Sequence, residues 1–370
     1  GYMWAMGGSD GVSAANYRTD VWKSADGINW THVSDNFPSN LSRILVFNGK
    51  MWVMGGYDGS NMLNDVYSST DGITWTLETS DPGWCERYDF SATVHDGKMW
   101  VMGGTVPPVS SINTVNDVWY TSDGVNWHEA PAANHWSARY HHESLTYDGK
   151  MWVMGGSNYQ GDFSLRDVWS STDGIVWTQE TDSAGWVPRT NFNIVVHDGM
   201  MWLAGGAPGH STWVNDVWYS RDGINWTQTE DLAEWTPRGN MGLLSFNDGL
   251  WVLGSYPVSN EVWTTLPLPG DLNEDGVVDL LDLMIVSAAY DTSEGDPDFD
   301  PRADCNGDGT VNLMDLIFVA RHFGDGSSSK MMAMSKFSSL TEVESNTVVR
   351  VAASDYTPTA GEEIDVAMEI

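Results

Sequence analysis

Cysteine is nearly absent from this chain: Cys85 and Cys305 are its only two, too few for a disulfide framework. They stand on opposite sides of a change in composition, so no bridge between them is expected, and their number decides nothing about redox compartment. Basic residues are scarce as well. Lys and Arg number 17 against 51 Asp and Glu, a formal charge of −34, which argues against nucleic acid and anionic membrane because phosphate would be repelled. The same balance fits an extracellular or saline setting, or bound cations. No apolar run approaches the ~20 residues needed to span a bilayer. There is no initiator Met and no signal peptide, Gly1 enters in mid-repeat, and Ile370 stops inside a strand pattern. The expectation is a fragment of a longer protein, in which a missing export signal means little. Tryptophan, finally, is missing after residue 263, although the chain before that point holds 21. A chain of 370 residues has room for one large domain and one or two small ones, and its character changes there.

What is present, first, is a repeat. Gly-Gly recurs at Gly7-Gly8, Gly55-Gly56, Gly103-Gly104, Gly155-Gly156 and Gly205-Gly206, with Gly254-Ser255 as a weakened sixth, in steps of 48, 48, 52, 50 and 49 residues. Each pair closes an alternating run such as Met99-Trp100-Val101-Met102, which reads as a strand. An Asn-Gly or Asp-Gly turn precedes it (Asn48-Gly49, Asp96-Gly97, Asp148-Gly149, Asp198-Gly199, Asp248-Gly249), the pair that type I′ hairpins require. Asp-Val-Trp or a variant follows (Trp22, Tyr67, Trp119, Trp169, Trp218, Trp263), then a second Asp-Gly turn and a further Trp (Trp30, Trp75, Trp127, Trp177, Trp226). Four short antiparallel strands per ~50 residues make one propeller blade. One blade cannot bury both its faces, so blades must stack radially, with Trp as the filling. Trp213 alone lies outside the repeat register.

Through the Gly-Gly and the paired aromatics, residues 1–266 resemble the kelch-type family. The fold class is therefore mainly β, a six-bladed kelch-like propeller incomplete at the N-terminus. The first repeat lacks its innermost strand and the last its outermost; a missing N-terminal stretch would supply both, with seven blades open if more were missing. Two details depart from kelch. The aromatics of a blade are eight residues apart, slightly wider than usual, and the turn Ser-x-Asp-Gly-x-x-Trp (Ser69 to Trp75) looks like a shortened sialidase Asp-box. Both families are propellers, so the fold survives the ambiguity and the enzymatic inference does not.

Propellers bind ligands at the mouth of the central channel. Here Arg follows Trp by three residues at Trp84/Arg87, Trp136/Arg139, Trp186/Arg189 and Trp235/Arg238, with Asn36 and Ser39 in the second repeat. Two readings stand: a partial ring that grips a carboxylated or sulfated glycan, or a repeated strut pairing each Arg with carbonyls or an Asp of the next blade. Two places further on stand Asp89, His141, Asn191 and Asn240, whose variation between blades marks better functional candidates. The resemblance also brings in galactose oxidase, whose copper radical site needs two Tyr, two His and a Cys–Tyr cross-link. Cys85, Tyr88, Tyr140, His141 and His142 offer the types, but no local motif joins them. A sialidase would need an arginine triad with a Tyr/Glu nucleophile and an Asp acid, a geometry that spacing does not show.

Beyond Pro269-Gly270, residues 271–315 hold thirteen Asp and Glu against one basic residue, Arg302. Asp271, Asn273, Asp275, Val277, Asp279 and Asp282 match positions 1, 3, 5, 7, 9 and 12 of an EF-hand calcium loop, with Gly276 at the sharp turn. Asp304, Asn306, Asp308, Thr310, Asn312 and Asp315 repeat the pattern 33 residues later with Gly309. Two Ca2+ ions are expected. Helical apolar patterns follow the loops (Leu280 to Tyr290, Leu313 to Phe323), but no helix pattern precedes either, and position 12 is Asp instead of Glu. Both departures resemble type I dockerin over residues 271–324, a small α-helical calcium-loop domain. The resemblance implies a cohesin domain on a scaffold or cell-surface protein as partner, contacted by Leu280, Leu281, Leu313, Met314 and Arg321. These are apolar where the best-known cellulosomal dockerins carry a hydroxyl pair, which leaves the cognate scaffold open.

Residues 325–347 read as a Ser-rich linker, and residues 348–370 as the truncated start of a cohesin-like or immunoglobulin-like β-sandwich. The leading reading is an extracellular, non-catalytic propeller carried on a dockerin, secreted or surface-attached, binding glycan or protein in polysaccharide breakdown or surface assembly. The alternative is a secreted carbohydrate-active enzyme, an O-glycosyl hydrolase or, less favoured, a copper oxidase, with its site in the propeller channel. Two carboxylates ~5–10 Å apart at the mouth would favour the hydrolase.

Overall fold

The computed structural model describes residues 1–9, 17–38, 43–58, 60–108, 113–131, 135–158, 164–210, 212–229, 233, 235–247, 249–255, 261–265, 270–273 and 277–323, with the backbone of the short strands Ser335–Phe337, Arg350–Val351 and Met368–Glu369. Two compact units are present, Gly1–Val262 with Ser338–Ile370, and Trp263–Phe337.

Six sheets follow one another along the first unit and form a six-bladed propeller. Blade 2 runs Arg43–Phe47, Lys50–Tyr57, Met62–Ser69, Thr76–Thr79, and blade 3 runs Ser91–His95, Lys98–Val106, Asn113–Thr121, His128–Glu129. Blade 4 is Glu143–Tyr147, Lys150–Met154, Val168–Ser171, Thr178–Thr181, and blade 5 is Asn193–His197, Met200–Ala204, Val217–Ser220, Thr227–Gln228. Blade 6 opens with Gly242–Phe246, Gly249–Leu253 and Val262–Thr264. First strands of successive blades contact one another and line the centre. Blade 1 holds Met3–Ser9, Tyr17–Ser24 and Thr31–Ser34. Beside Met3–Ser9 lies Met368–Glu369, paired parallel where blades 2 to 6 pair their first two strands antiparallel. Residues 348–370, read from the sequence as a sandwich, thus contribute two short strands to this sheet; most of that stretch, and most of the linker before it, lies outside the described residues.

The repeat motifs each have a mechanical cause. In blades 2 to 6 the Trp of the second strand donates its indole N–H back across the hairpin, as Trp52 does to the Phe47 carbonyl at 3.0 Å and Trp251 to that of Phe246 at 2.9 Å. Its ring then lies on the Asp-Gly turn of the neighbouring blade. A methyl group on Gly124, which has φ +77°, would sit 2.0 Å from Cζ3 of Trp52, so only Gly fits. The same seat recurs as Gly72 on Trp4, Gly174 on Trp100 and Gly223 on Trp152. Gly27 of blade 1 takes Trp251 of blade 6 in the same way. That contact packs blade 6 against blade 1, and the inner edge of blade 1 is taken by Met368–Glu369 of the C-terminal stretch, where the sequence reading looked to a missing N-terminal one. In the turns the Asp carboxylate accepts from the backbone two and three residues on, as Asp71 does from Ile73 and Thr74 at 2.9 and 2.8 Å. This is an Asx turn.

The second unit carries two nine-residue helices, α1 (Leu280–Ala288) and α2 (Leu313–Arg321). Both are shorter than the apolar pattern suggested: the chain turns at Ala289 and His322, and Asp291 takes φ +65°. Each opens with a reciprocal capping box, Asp279 with Asp282 and Asn312 with Asp315. Thr292–Ser293 pairs with Thr310–Val311, and Val278, Val286, Ala289, Ala303, Val311 and Val319 form the core. Both cysteines are free.

Candidate functional site

Arg87, Arg139, Arg189 and Arg238 are fully buried, at 0 % exposure. Arg87 donates to both oxygens of Asp117 at 2.8 Å, Arg139 to those of Asp167 at 2.8 and 2.7 Å, and Arg189 to those of Asp216 at 2.7 Å. Nη1 of each also donates to the first glycine of its own blade's Gly-Gly, at Gly103, Gly155 and Gly205. Meanwhile the Arg backbone bonds to the preceding blade: Gly56 N–H to the Arg87 carbonyl at 2.9 Å, Arg87 N–H to the Leu63 carbonyl at 3.0 Å. Each Arg therefore straps one blade to the next. The acceptor is the Asp of the blade whose inner strand it opens, not of the following one. The same Asp accepts the indole N–H of the Asp-Val-Trp motif, Trp119, Trp169 and Trp218, at 2.7 to 2.8 Å. Trp84 and Trp186 lie against the guanidinium three residues on, 5.5 and 5.9 Å from ring centroid. In blade 6 the partner is Glu261 at 2.7 Å, and Nη1 of Arg238 has no partner among the described residues. An anionic glycan gripped by these groups is the expectation the burial overturns, because every guanidinium is turned into its own blade and its charge is met by a carboxylate.

Asp89, His141, Asn191 and Asn240 occupy one equivalent turn in blades 3 to 6, all left-handed, with φ 55°, 51°, 57° and 48°. Asp, Asn and His tolerate that backbone best among residues with a Cβ, so part of the polar variation has a conformational cause. The turns are stitched in sequence, His141 N–H to the Asp89 carbonyl at 3.0 Å and Asn240 N–H to that of Asn191 at 2.9 Å. His141 Nε2 lies 3.1 Å from a carboxylate oxygen of Asp89. The position between Arg and this residue is Tyr88, Tyr140, Thr190 and Gly239 in turn. Onto Gly239 packs the out-of-register Trp213: a methyl group there would sit 2.2 Å from its Cζ3. A cavity of about 280 Å³ opens here, lined by Tyr140, His141, Thr190, Asn191, Asn240 and Trp213. The sequence pointed to His141, Asn191 and Asn240 as mouth residues and offered Tyr140 only as an oxidase-type residue, while Trp213 stood only as an exception to the repeat; its departure from register was the signal. Cys85 is exposed, and His142 is fully buried with Nε2 2.9 Å from Ser91 Oγ. Burial first, then the positive charges of Arg139 and Arg43, hold its pKa well below the usual 6.5.

In the calcium-loop unit, the position-12 carboxylates fold back over their own loops. Asp282, at 0 % exposure, accepts from Leu272 at 2.7 Å, Asn273 at 3.2 Å and Asp279 at 2.8 Å. Asp315 accepts likewise from Asn306 at 3.3 Å and Asn312 at 2.8 Å. Asp304 receives the amides of Asp308 and Gly309, and Asp308 the amide and the hydroxyl of Thr310. The donors are all oxygen, the chemistry that a hard cation such as calcium takes, and the closed loop brings position 12 beside position 3. Asp275 lies outside the described residues. Among those described, no group of three His, Cys, Asp or Glu side chains is drawn together as a metal site; the loop amides hold the carboxylates instead. Leu280, Leu281, Leu313 and Met314 stand out at 63, 52, 58 and 57 % exposure on the first turns of α1 and α2. Arg321 ends α2.

The fold and these two sites define a kelch-type propeller joined to a dockerin. The KLHDC2/KLHL20/DRC7 Kelch-repeats domain matches residues 2–206, more than half the chain, and the chain belongs to that family. The dockerin type I domain matches residues 269–324. Type I dockerins bind calcium, their partner is a cohesin, and they occur in extracellular or cell-surface proteins. No helix among the described residues is long and apolar enough to cross a membrane. A solved structure described as "Structure of YjhT" is 16 % identical with a TM-score of 0.50, covering 58 % of this chain and 72 % of that one, a likeness of fold alone. No curated protein matches the chain.

Proposed function

We propose that this chain is a secreted or surface-attached docking module, fixed to a cohesin through residues 271–324, whose propeller carries a ligand site for glycan or protein in polysaccharide breakdown or surface assembly. Two calcium ions belong to it. One is held by Asp271, Asn273, Asp275, Asp279, Asp282 and the Val277 carbonyl, the other by Asp304, Asn306, Asp308, Asn312, Asp315 and the Thr310 carbonyl. Leu280, Leu281, Leu313, Met314 and Arg321 face the cohesin. One observation carries the reading: both loop–helix halves bury Asp282 or Asp315 completely yet leave a pair of large apolar side chains in water at the same first turn. Apolar pairs so placed are what a partner surface covers. Isothermal titration against a panel of cohesins tests it. Binding is expected with calcium and absent in chelator, and Leu281→Asp with Met314→Asp should lower affinity at least a hundredfold without loss of helix signal. Equal affinity in chelator, or in the double variant, would overturn the assignment.

A further inference from the structure

The mouth cavity beside Trp213 has a chemistry narrower than "glycan or protein". Its neighbouring cations are spent: Arg139, Arg189 and Arg238 are fully buried and ion-paired, and His141 faces Asp89 at 3.1 Å. What remains is uncharged. Asn191 and Asn240 each present a carboxamide, which both donates and accepts, and the Asn191 carboxamide has no hydrogen-bond partner among the described residues. Trp213 is half-buried where the other tryptophans are register residues, and Gly239 stands where blades 3 to 5 have Tyr, Tyr and Thr, leaving room for the indole. Tyr140 supplies a second aromatic wall. The volume, about 280 Å³, lies just below the ~300–1,000 Å³ of ligand pockets, which suits a single small ring.

We infer that this cavity is a subsite for a neutral pyranose, with the C–H face of the sugar on the Trp213 indole and its hydroxyls bonded to Asn191 and Asn240. The inference deepens the mouth site proposed above and rests on it. An aromatic plate flanked by carboxamides matches a ring that has one apolar face and an equatorial rim of hydroxyls, each able to donate and accept. A uronate or sulfated sugar would bring a charge that meets no free counter-charge among the described residues lining the cavity, with Asp89 beside His141.

The test uses the full chain in calcium, run through native gels cast with neutral glucan, xylan or mannan and with polygalacturonate, followed by titration of the matching hexasaccharide. Retardation by at least one neutral polymer and none by polygalacturonate is expected. Trp213→Ala should weaken binding at least tenfold and Asn191→Ala several-fold, and Trp213→Phe should retain part of it. Gly239→Ala, by pushing the indole off its seat, should mimic Trp213→Ala. Unchanged thermal unfolding and unchanged cohesin affinity of each variant separate a lost subsite from a lost fold. Tighter retention by polygalacturonate, no retention by any neutral polymer, or full retention in Trp213→Ala would each overturn the inference. If a protein ligand binds instead and Trp213→Ala abolishes it, the mouth site stands and the neutral sugar falls; if that variant leaves every ligand bound, both fall.

Discussion

Removing one inter-blade strap is the sharpest perturbation of the propeller. Arg189→Met deletes a guanidinium at 0 % exposure that makes two 2.7 Å bonds to Asp216 and a 2.8 Å bond to the Gly205 carbonyl. Asp216 is itself only 8 % exposed, so its charge is left without a partner, which typically costs ~3–5 kcal/mol. Asp216→Leu strands the guanidinium in the same way and takes the acceptor from Trp218, whose indole donates to Asp216 at 2.7 Å. The double variant leaves no buried charge. Its remaining loss is the orphaned indole N–H and the unmet carbonyl, ~1–3 kcal/mol, so it should be more stable than either single variant. Guanidinium unfolding followed by tryptophan fluorescence reads this directly, because no Trp follows residue 263 and the signal comes from the blades. Agreement with circular dichroism checks two-state behaviour. Single variants within 1 kcal/mol of the parent, or a double variant that loses the sum of the two, would refute the strap.

Three further outcomes follow from the same physics. His142 is held neutral by burial, its pKa depressed from 6.5, so the unfolded chain takes up a proton that the folded one refuses. Its contribution is intact above pH ~6.5 and is lost below it at ~1.4 kcal/mol per pH unit until the buried ring itself protonates. The stability difference between the parent and His142→Gln should therefore slope between pH 6.5 and 5 and be flat above; a flat difference throughout contradicts the assignment. In the loops, chelator should remove hydrogen-exchange protection from α1 and α2 while the blades keep theirs, because packed carboxylates repel without metal. The first loop, with four ligand carboxylates against three, should fill first in a calcium titration, and simultaneous filling would count against ranking the loops by charge.

Much of the architecture is local and therefore readable along the chain. Asn-Gly and Asp-Gly turns, period-two strands and a repeat near 50 residues dictate blades. The calcium-loop spacing with helix patterns only on the far side of each loop dictates two loop–helix halves, and the helix ends were overrun by two residues because apolar pattern continues past the point where Ala289 and His322 turn the chain. Asp and Asn at loop position 9 were read as ligands; that they also cap α1 and α2 follows from the same short side chain and could have been read from the capping pattern.

The firmest features the sequence held were thus the repeated ones, since a motif copied along the chain states its own local geometry each time. Distance hid the rest. Whether Arg87 grips a ligand or Asp117, 30 residues on, depends on which strand lies beside it. Ring closure through Gly27 and Trp251, more than two hundred residues apart, is a property of the sum of blade angles and of no single blade. And Trp213 became more than an irregularity only when folding set it on Gly239, beside the turn residues of two other repeats, because a pocket is made of surfaces that no local stretch of chain contains.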